Sequence, residues 1–175
     1  MRWKSFSSQA KSGTLASPEQ LKDLISRSTI KPAVHQFEAH PYLQQVDWVQ
    51  WHKDHDIQIT AYSSLANLNP TYGSPGLSKN SPPSLLKNKE ISEIAKKRGC
   101  TNAQVALQWG MACGTSVIPK SSHVARIQEN FASLDCALVV DDYTTIARLG
   151  RKYSKRFNNP SESWGVPLYE GLEGA

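Results

Sequence analysis

A chain of 175 residues, 39% hydrophobic and 20% charged, carries enough apolar material for one sizeable domain, which excludes disorder as its main state. Its 20 basic and 15 acidic residues give a formal charge of +5, but the basic residues are dispersed, Lys96-Lys97-Arg98 is their longest cluster, and no nucleic-acid-binding module accompanies them. No apolar run approaches the roughly 18 residues a membrane span needs, so neither nucleic acid nor membrane is an expected partner.

Before Glu19 there is no acidic residue, and Arg2, Lys4 and Lys11 stand among serines, a composition shared with mitochondrial-type presequences. The expected location is nevertheless the cytoplasm. Ser17-Pro18-Glu19-Gln20 reads as an N-cap, a proline at the first helical position and a glutamine returning to the cap, so a short amphipathic helix begins at Pro18 with Leu21, Leu24 and Ile25 on one face. Ala33 to Glu38 is a compact, partly apolar run stopped by Pro41. Val46, Trp48, Val49 and His52 follow at helical spacing, giving strand, turn and helix.

Ile57 to Tyr62 is a second strand, followed by a loop marked by Pro70, Gly73, Pro75, Gly76, Pro82 and Pro83. Ile91, Ile94 and Ala95 mark a helix ending at Gly99. Thr101-Asn102-Ala103-Gln104 is a capping box before a helix with Ala103, Ala106, Leu107 and Gly110 on one face. Ser116 to Ile118 is a brief strand, a helix starts at about His123, and a last amphipathic helix carries Ile146, Leu149 and Tyr153. The tail from Asn158 to Ala175 is expected to be irregular. Strands alternating with helices imply parallel pairing and an α/β class. A closed (β/α)8 barrel takes about 250 residues, more than three strands and a fourth at Lys11 to Ala16 can fill.

Cys100, Cys113 and Cys136 are odd in number and lack CxxC spacing, which favours reduced thiols over a disulfide framework or a structural zinc site. His52, Asp54 and His55 have spacing that could place metal ligands on one helical face, but with no further ligand nearby a solvated face is the expected reading. His35 and His40 flank Glu38, an arrangement that could suggest acid–base chemistry.

The most informative segment is Ile118-Pro119-Lys120-Ser121-Ser122-His123-Val124-Ala125-Arg126-Ile127-Gln128-Glu129-Asn130. It sets a lysine, two hydroxyls and an arginine at a helix start, where free backbone N–H groups and the helix dipole favour an anion. Lys120 acts as a point charge and Arg126 as a planar fork, so a nucleotide phosphate is the natural ligand. The alternative for both is a solvated helix start.

Together with His35-Gln36-Phe37-Glu38-Ala39-His40-Pro41-Tyr42-Leu43 and Thr60-Ala61-Tyr62-Ser63-Ser64-Leu65, this segment closely resembles three stretches of the aldo/keto reductases, in that family's order. The resemblance implies the C-terminal half of a (β/α)8 TIM barrel, with about four parallel strands and flanking helices, as a single N-terminally truncated domain over residues 1–175. It also implies NADP(H) as cofactor and a small-molecule carbonyl as substrate. Gln36 matches the glutamine at the nicotinamide carboxamide, a role suited to an amide that both donates and accepts; a polar residue ending a strand is the alternative. Tyr62 matches the ring stacked on the nicotinamide, with rim packing as its alternative. Ser63 and Leu65 fall beside the pyrophosphate, and Asn67 falls near a family serine. Lys120 and Ser121 match the grip on the 2′-phosphate, Arg126 a second phosphate or adenine contact, and Glu129 and Asn130 the adenine amino group. His123 stands where the family often has a small hydroxyl residue. His40 matches a structural His-Pro-Tyr turn.

The family's catalytic tyrosine, lysine, aspartate and histidine have no counterpart here, so no catalytic residue is expected in this chain. Leu15 stands where the family has a carboxamide-binding asparagine, Thr14 stands for its serine, His35 replaces a usual asparagine, and Ser5 to Lys11 resembles the end of a preceding barrel helix. Two functions follow: an NADP(H)-dependent reductase of aldehydes or ketones, or a catalytically inactive remnant that binds nucleotide or serves as an interaction module. An open barrel edge would also favour self-association.

Overall fold

The computed structural model describes residues 18–66, 82–159 and 164–165. The expected fourth strand at Lys11 to Ala16, most of the proline-rich loop and most of the tail lie outside the described residues.

Helix α1, Pro18–Arg27, starts where proline's fixed φ and missing N–H suit the first helical position. It buries Leu21, with Leu24 and Ile25 packed beside it. Strand β1, Val34–Glu38, leads through the Pro41 turn into helix α2, Val46–Asp54, and then strand β2, Gln58–Tyr62. Val46, expected on the apolar face of α2, instead faces solvent in the first position after Gln45, whose φ is 45°. The buried face of α2 is Trp48, Val49 and His52.

His52 is therefore not on a solvated face. Positions 48, 49 and 52 share one side of the helix, and that side packs on the sheet. Buried there, the His52 Nδ1–H donates to the Trp48 carbonyl at 2.7 Å, which leaves Nε2 to accept from His35 Nδ1–H at 2.7 Å. His55 and Asp54 point outward.

After β2 the described chain resumes with a 3-10 turn, Leu85–Lys87, and helix α3, Lys89–Arg98. The Asn88 side chain caps α3 by accepting from Ile91 N at 3.0 Å, and Gly99 ends it at φ 66°, a left-handed value that costs glycine little. Helix α4, Asn102–Ala112, opens with the anticipated capping box: Thr101 Oγ1 accepts from Gln104 N at 3.2 Å, and Gln104 Oε1 accepts from Thr101 N at 2.9 Å. Its expected face is buried, together with Val105 and Trp109. Gly110 lets α4 approach the sheet, since a Cβ there would lie 2.9 Å from Val117 Cγ1.

Strand β3, Thr115–Val117, starts one residue earlier than expected and gives way to helix α5, Val124–Phe131. A 3-10 turn, Ala132–Asp135, continues α5, and helix α6, Val140–Tyr153, closes the described fold. Asp142 joins α6 to α3: it accepts Arg98 Nε at 2.7 Å, Arg98 Nη2 at 3.3 Å and the Val139 N–H at 2.9 Å.

The three strands form one parallel sheet in the order β1-β2-β3, so each strand neighbours the next one in sequence. One core lies between the sheet and α1 and α2, built on Phe37, Trp48, Val49, Ile59 and Ala61. A second joins α3, α4 and α6 through Ile91, Ile94, Val105, Ile146 and Leu149. Helix α5 buries no side chain, and Val124, Ile127 and Phe131 are 71%, 51% and 76% exposed. No helix among the described residues is long and apolar enough to cross a membrane.

The cysteines correct the expectation of reduced thiols. Cys100 and Cys136 form a disulfide with their Cα atoms 5.9 Å apart, and Cys113 is free. An odd count argues against full pairing, but it cannot exclude one bond between residues that the α3–α4 junction and the end of α5 bring together.

Candidate functional site

Side chains alternate across a strand, and paired residues of parallel strands point the same way. His35, Phe37, Ile59, Ala61 and Thr115 are buried on the side of the sheet that takes the helices. Gln36 pairs with Thr60 and Thr60 with Ser116, while Glu38 pairs with Tyr62; these residues share the opposite face. That face is polar, and Gln36, Thr60 and Tyr62 on it are half-buried. Tyr62 ends β2, and Lys120 lies three residues beyond the end of β3, so Tyr62, Ser63, Lys120 and Ser121 belong to the rim at the C-terminal ends of the strands, while Gln36, two residues before the end of β1, lies on the same face below it. In α/β folds ligands collect at this rim because the loops there are free of the strand ladder.

The end of β2 turns sharply. Ser63 and Ala66 adopt φ values of 52° and 57°, Ala66 N donates to Ser63 O at 2.7 Å, and the Ser64 hydroxyl donates back to Ala61 O at 2.8 Å. The Leu65 side chain packs into the α3–α4–α6 core, which fixes the turn from below.

A buried carboxylate holds the chain after α6 against this rim. Glu38, fully buried, accepts from His40 Nε2–H at 3.0 Å, Phe157 N at 2.8 Å and Asn158 N at 2.9 Å. Burial pushes its pKa up, but the His40 hydrogen bond and charge and the two backbone N–H groups outweigh burial and hold it below the usual carboxylate range. Around this anchor Lys155 N donates to Tyr42 O at 2.9 Å, and Asn158 Nδ2 donates to the Ser63 hydroxyl at 2.9 Å. The strap formed by residues 155–158 thus crosses the ends of β1 and β2.

On the other side of the rim, the Ser121 hydroxyl accepts from His123 N at 3.1 Å and shapes the turn into α5. His123 occupies the N-cap position of α5 without a side-chain cap, so the helix start keeps its N–H groups available. Lys120 and Arg126 are exposed and form no ion pair with the described residues. Glu129 and Asn130 sit half-buried at the end of α5, their carbonyls accepting from Gln104 Nε2 at 3.1 Å and the Ser133 hydroxyl at 2.6 Å.

Sequence reasoning missed Glu38 as an anchor and Asn158 as a partner of Ser63. Strict alternation from Gln36 would have put Glu38 on the rim face. Nothing in the sequence marks Phe157 and Asn158 as donors, because the groups used are main-chain N–H.

Consecutive parallel strands, each followed by helix, and a polar rim at their C-terminal ends define part of a (β/α)8 barrel. The sequence model of the aldo/keto reductase family matches residues 14–151, and the chain belongs to that family. It is 37% identical over 150 residues to an NADP-dependent D-sorbitol-6-phosphate dehydrogenase of Malus domestica, covering 85% of this chain and 46% of that protein. It is 35% identical over 174 residues to an NAD(P)H-dependent D-xylose reductase of Scheffersomyces stipitis, covering 95% and 54%. Among solved structures, an aldose reductase from Giardia lamblia superposes with a TM-score of 0.76 at 31% identity, covering 88% of this chain and 48% of that one. The chain spans about half the length of the curated relatives it matches.

Proposed function

We propose that this chain carries the cofactor-binding part of an NADP(H)-dependent oxidoreductase that reduces aldehydes or ketones to alcohols in the cytoplasm. One observation carries the reading: a half-buried amide and phenol, Gln36 and Tyr62, share one face of the sheet, and the strand next to Tyr62 runs on into a turn and helix bearing two cations, Lys120 and Arg126, with no ion-pair partner among the described residues. The NADP-dependent sorbitol-6-phosphate dehydrogenase and the NAD(P)H-dependent xylose reductase to which the chain is similar support it.

The residues present fit such a group. Gln36 can donate to and accept from a carboxamide, and the Tyr62 ring offers a flat apolar surface to a nicotinamide. The Ser63 hydroxyl and the main chain at Leu65 line the turn where a pyrophosphate would lie. Lys120, Ser121 and Arg126 would hold the ribose phosphate at the uncapped start of α5, with Glu129 and Asn130 facing adenine. When bound, the cofactor supplies a hydride. This chain's residues bind and orient it, and none is assigned as the proton donor. A second reading is a catalytically inactive nucleotide-binding or interaction module, in which the same residues bind the nucleotide without turnover.

Lys120→Ala tests the proposal. A hydrogen bond to a charged group contributes about 1.5–3 kcal/mol, so fluorescence titration should show NADPH binding roughly 10- to 100-fold weaker and NADH binding almost unchanged. Equal losses for both cofactors, or no NADPH binding by the unmodified chain, would remove the reading.

We also propose that the chain pairs with a second copy of itself. Among the described residues β3 pairs only with β2, and the exposed apolar face of α5 follows a few residues further along, so hydrogen-bonding edge and apolar surface adjoin. Sedimentation should show concentration-dependent dimers that Ile127→Lys disperses. A monomer at every concentration would refute this.

A further inference from the structure

We propose that Cys100–Cys136 is a reversible redox staple that sets how firmly α5, the helix bearing Arg126, Glu129 and Asn130, is held against α4. Its consequence for nucleotide binding rests on the function proposed above. Cys100 lies between the Gly99 cap of α3 and the Thr101 cap of α4, and Cys136 directly follows the 3-10 turn that continues α5. The bond joins positions 36 residues apart.

Among the described residues little else fastens this element. Helix α5 buries none of its side chains, and Val124, Ile127 and Phe131 point to solvent. The Ser133 hydroxyl bonds within the same segment, to Asn130 O. Gln104 Nε2 to Glu129 O, at 3.1 Å, is the hydrogen bond that ties α5 to α4. Cys136, 2% exposed, and Ser133, 3% exposed, are the points where the segment enters the core. Among the described residues, opening the disulfide therefore leaves α5 held by one amide hydrogen bond and the packing of its 3-10 turn.

The two cysteines differ in exposure: Cys136 is buried, while Cys100 is half-buried at a helix junction. A small-molecule thiolate such as reduced glutathione enters at Cys100. Its sulfur bonds to Cys100 Sγ, the protein disulfide breaks, and Cys136 leaves as a thiolate that takes a proton. A second thiolate attacks the glutathione sulfur of the mixed disulfide, Cys100 leaves and is protonated, and one oxidised glutathione is released. Two small thiols have then been oxidised and one protein disulfide reduced. Oxidised glutathione drives the same steps backwards to close the staple.

The test uses the whole chain equilibrated with oxidised or reduced glutathione. After denaturation the oxidised form should show one titratable thiol, Cys113, and the reduced form three. Reduction should speed amide exchange at residues 124–136 by about tenfold or more, leave β1 and β2 unchanged, and weaken NADPH binding several-fold. Cys100→Ser, the substitution at the more exposed cysteine, should match the reduced protein under both conditions, and Cys113→Ser should match the unmodified chain. Three thiols in the oxidising buffer would overturn the staple, as would exchange at 124–136 that ignores reduction. If NADPH binds neither form, the cofactor reading fails, and exchange at 124–136 alone decides the staple.

Discussion

Replacing Glu38 with alanine should destabilise the chain by about 3–5 kcal/mol, the range for removing one partner of a buried charged network. The carboxylate is fully buried and accepts three hydrogen bonds, from His40 Nε2, Phe157 N and Asn158 N. Deleting it strands the His40 N–H in the core and frees two main-chain donors, so the strap at 155–158 loses its hold on β1. Urea titration should show the lowered midpoint, and hydrogen exchange should show the Phe157 and Asn158 amides unprotected before the sheet opens. Glu38→Gln keeps the volume but turns an amide N–H toward a donor, so it should recover only part of the loss. A Glu38→Ala midpoint within about 0.5 kcal/mol of the unmodified chain, the range for a surface change, would show that the anchor does not matter.

Acidification should cost about 2 kcal/mol of stability by pH 5 and about 3 kcal/mol by pH 4, through His35. Burial, reinforced by the neighbouring His52, lowers the His35 pKa from 6.5 to about 4. The sign follows from proton uptake. Between pH 6.5 and 4 the unfolded chain binds a proton that the folded chain refuses, so stability is complete above that window and falls as pH drops through it. His52 is shifted the same way by burial, and Glu38 adds a loss at still lower pH as its carboxylate protonates. The geometry agrees: His35 Nδ1 already donates to His52, and its Nε2 has no hydrogen-bond partner among the described residues, so an added proton would sit unpaired in the core. His35→Asn should flatten the profile between pH 7 and 5. An unchanged slope would place the acid sensitivity elsewhere.

Much of the fold was legible because its signals are local. The Thr101–Gln104 box, the left-handed Gly99 and the proline at the start of α1 act within one helical turn, and each element appears where its signal stands. The candidate anion site could be read for the same reason, since Lys120, Ser121 and Arg126 lie within seven residues of one another. What escaped is tertiary. His52 carries the polarity of a surface residue, and the Trp48 carbonyl and the opposing His35 ring together make its burial tolerable. The disulfide depends on where two junctions meet, which spacing does not encode. The Glu38 anchor spans 119 residues to Phe157.

Because Glu38 grips main-chain N–H groups, which nineteen of the twenty amino acids provide, its hold on the crossing does not depend on the side chains at 157 and 158, which make separate contacts with His40 and Ser63. Proline alone is barred from both positions. The fold thereby gives the position of this crossing segment to its main chain and its contacts with the rim to its side chains.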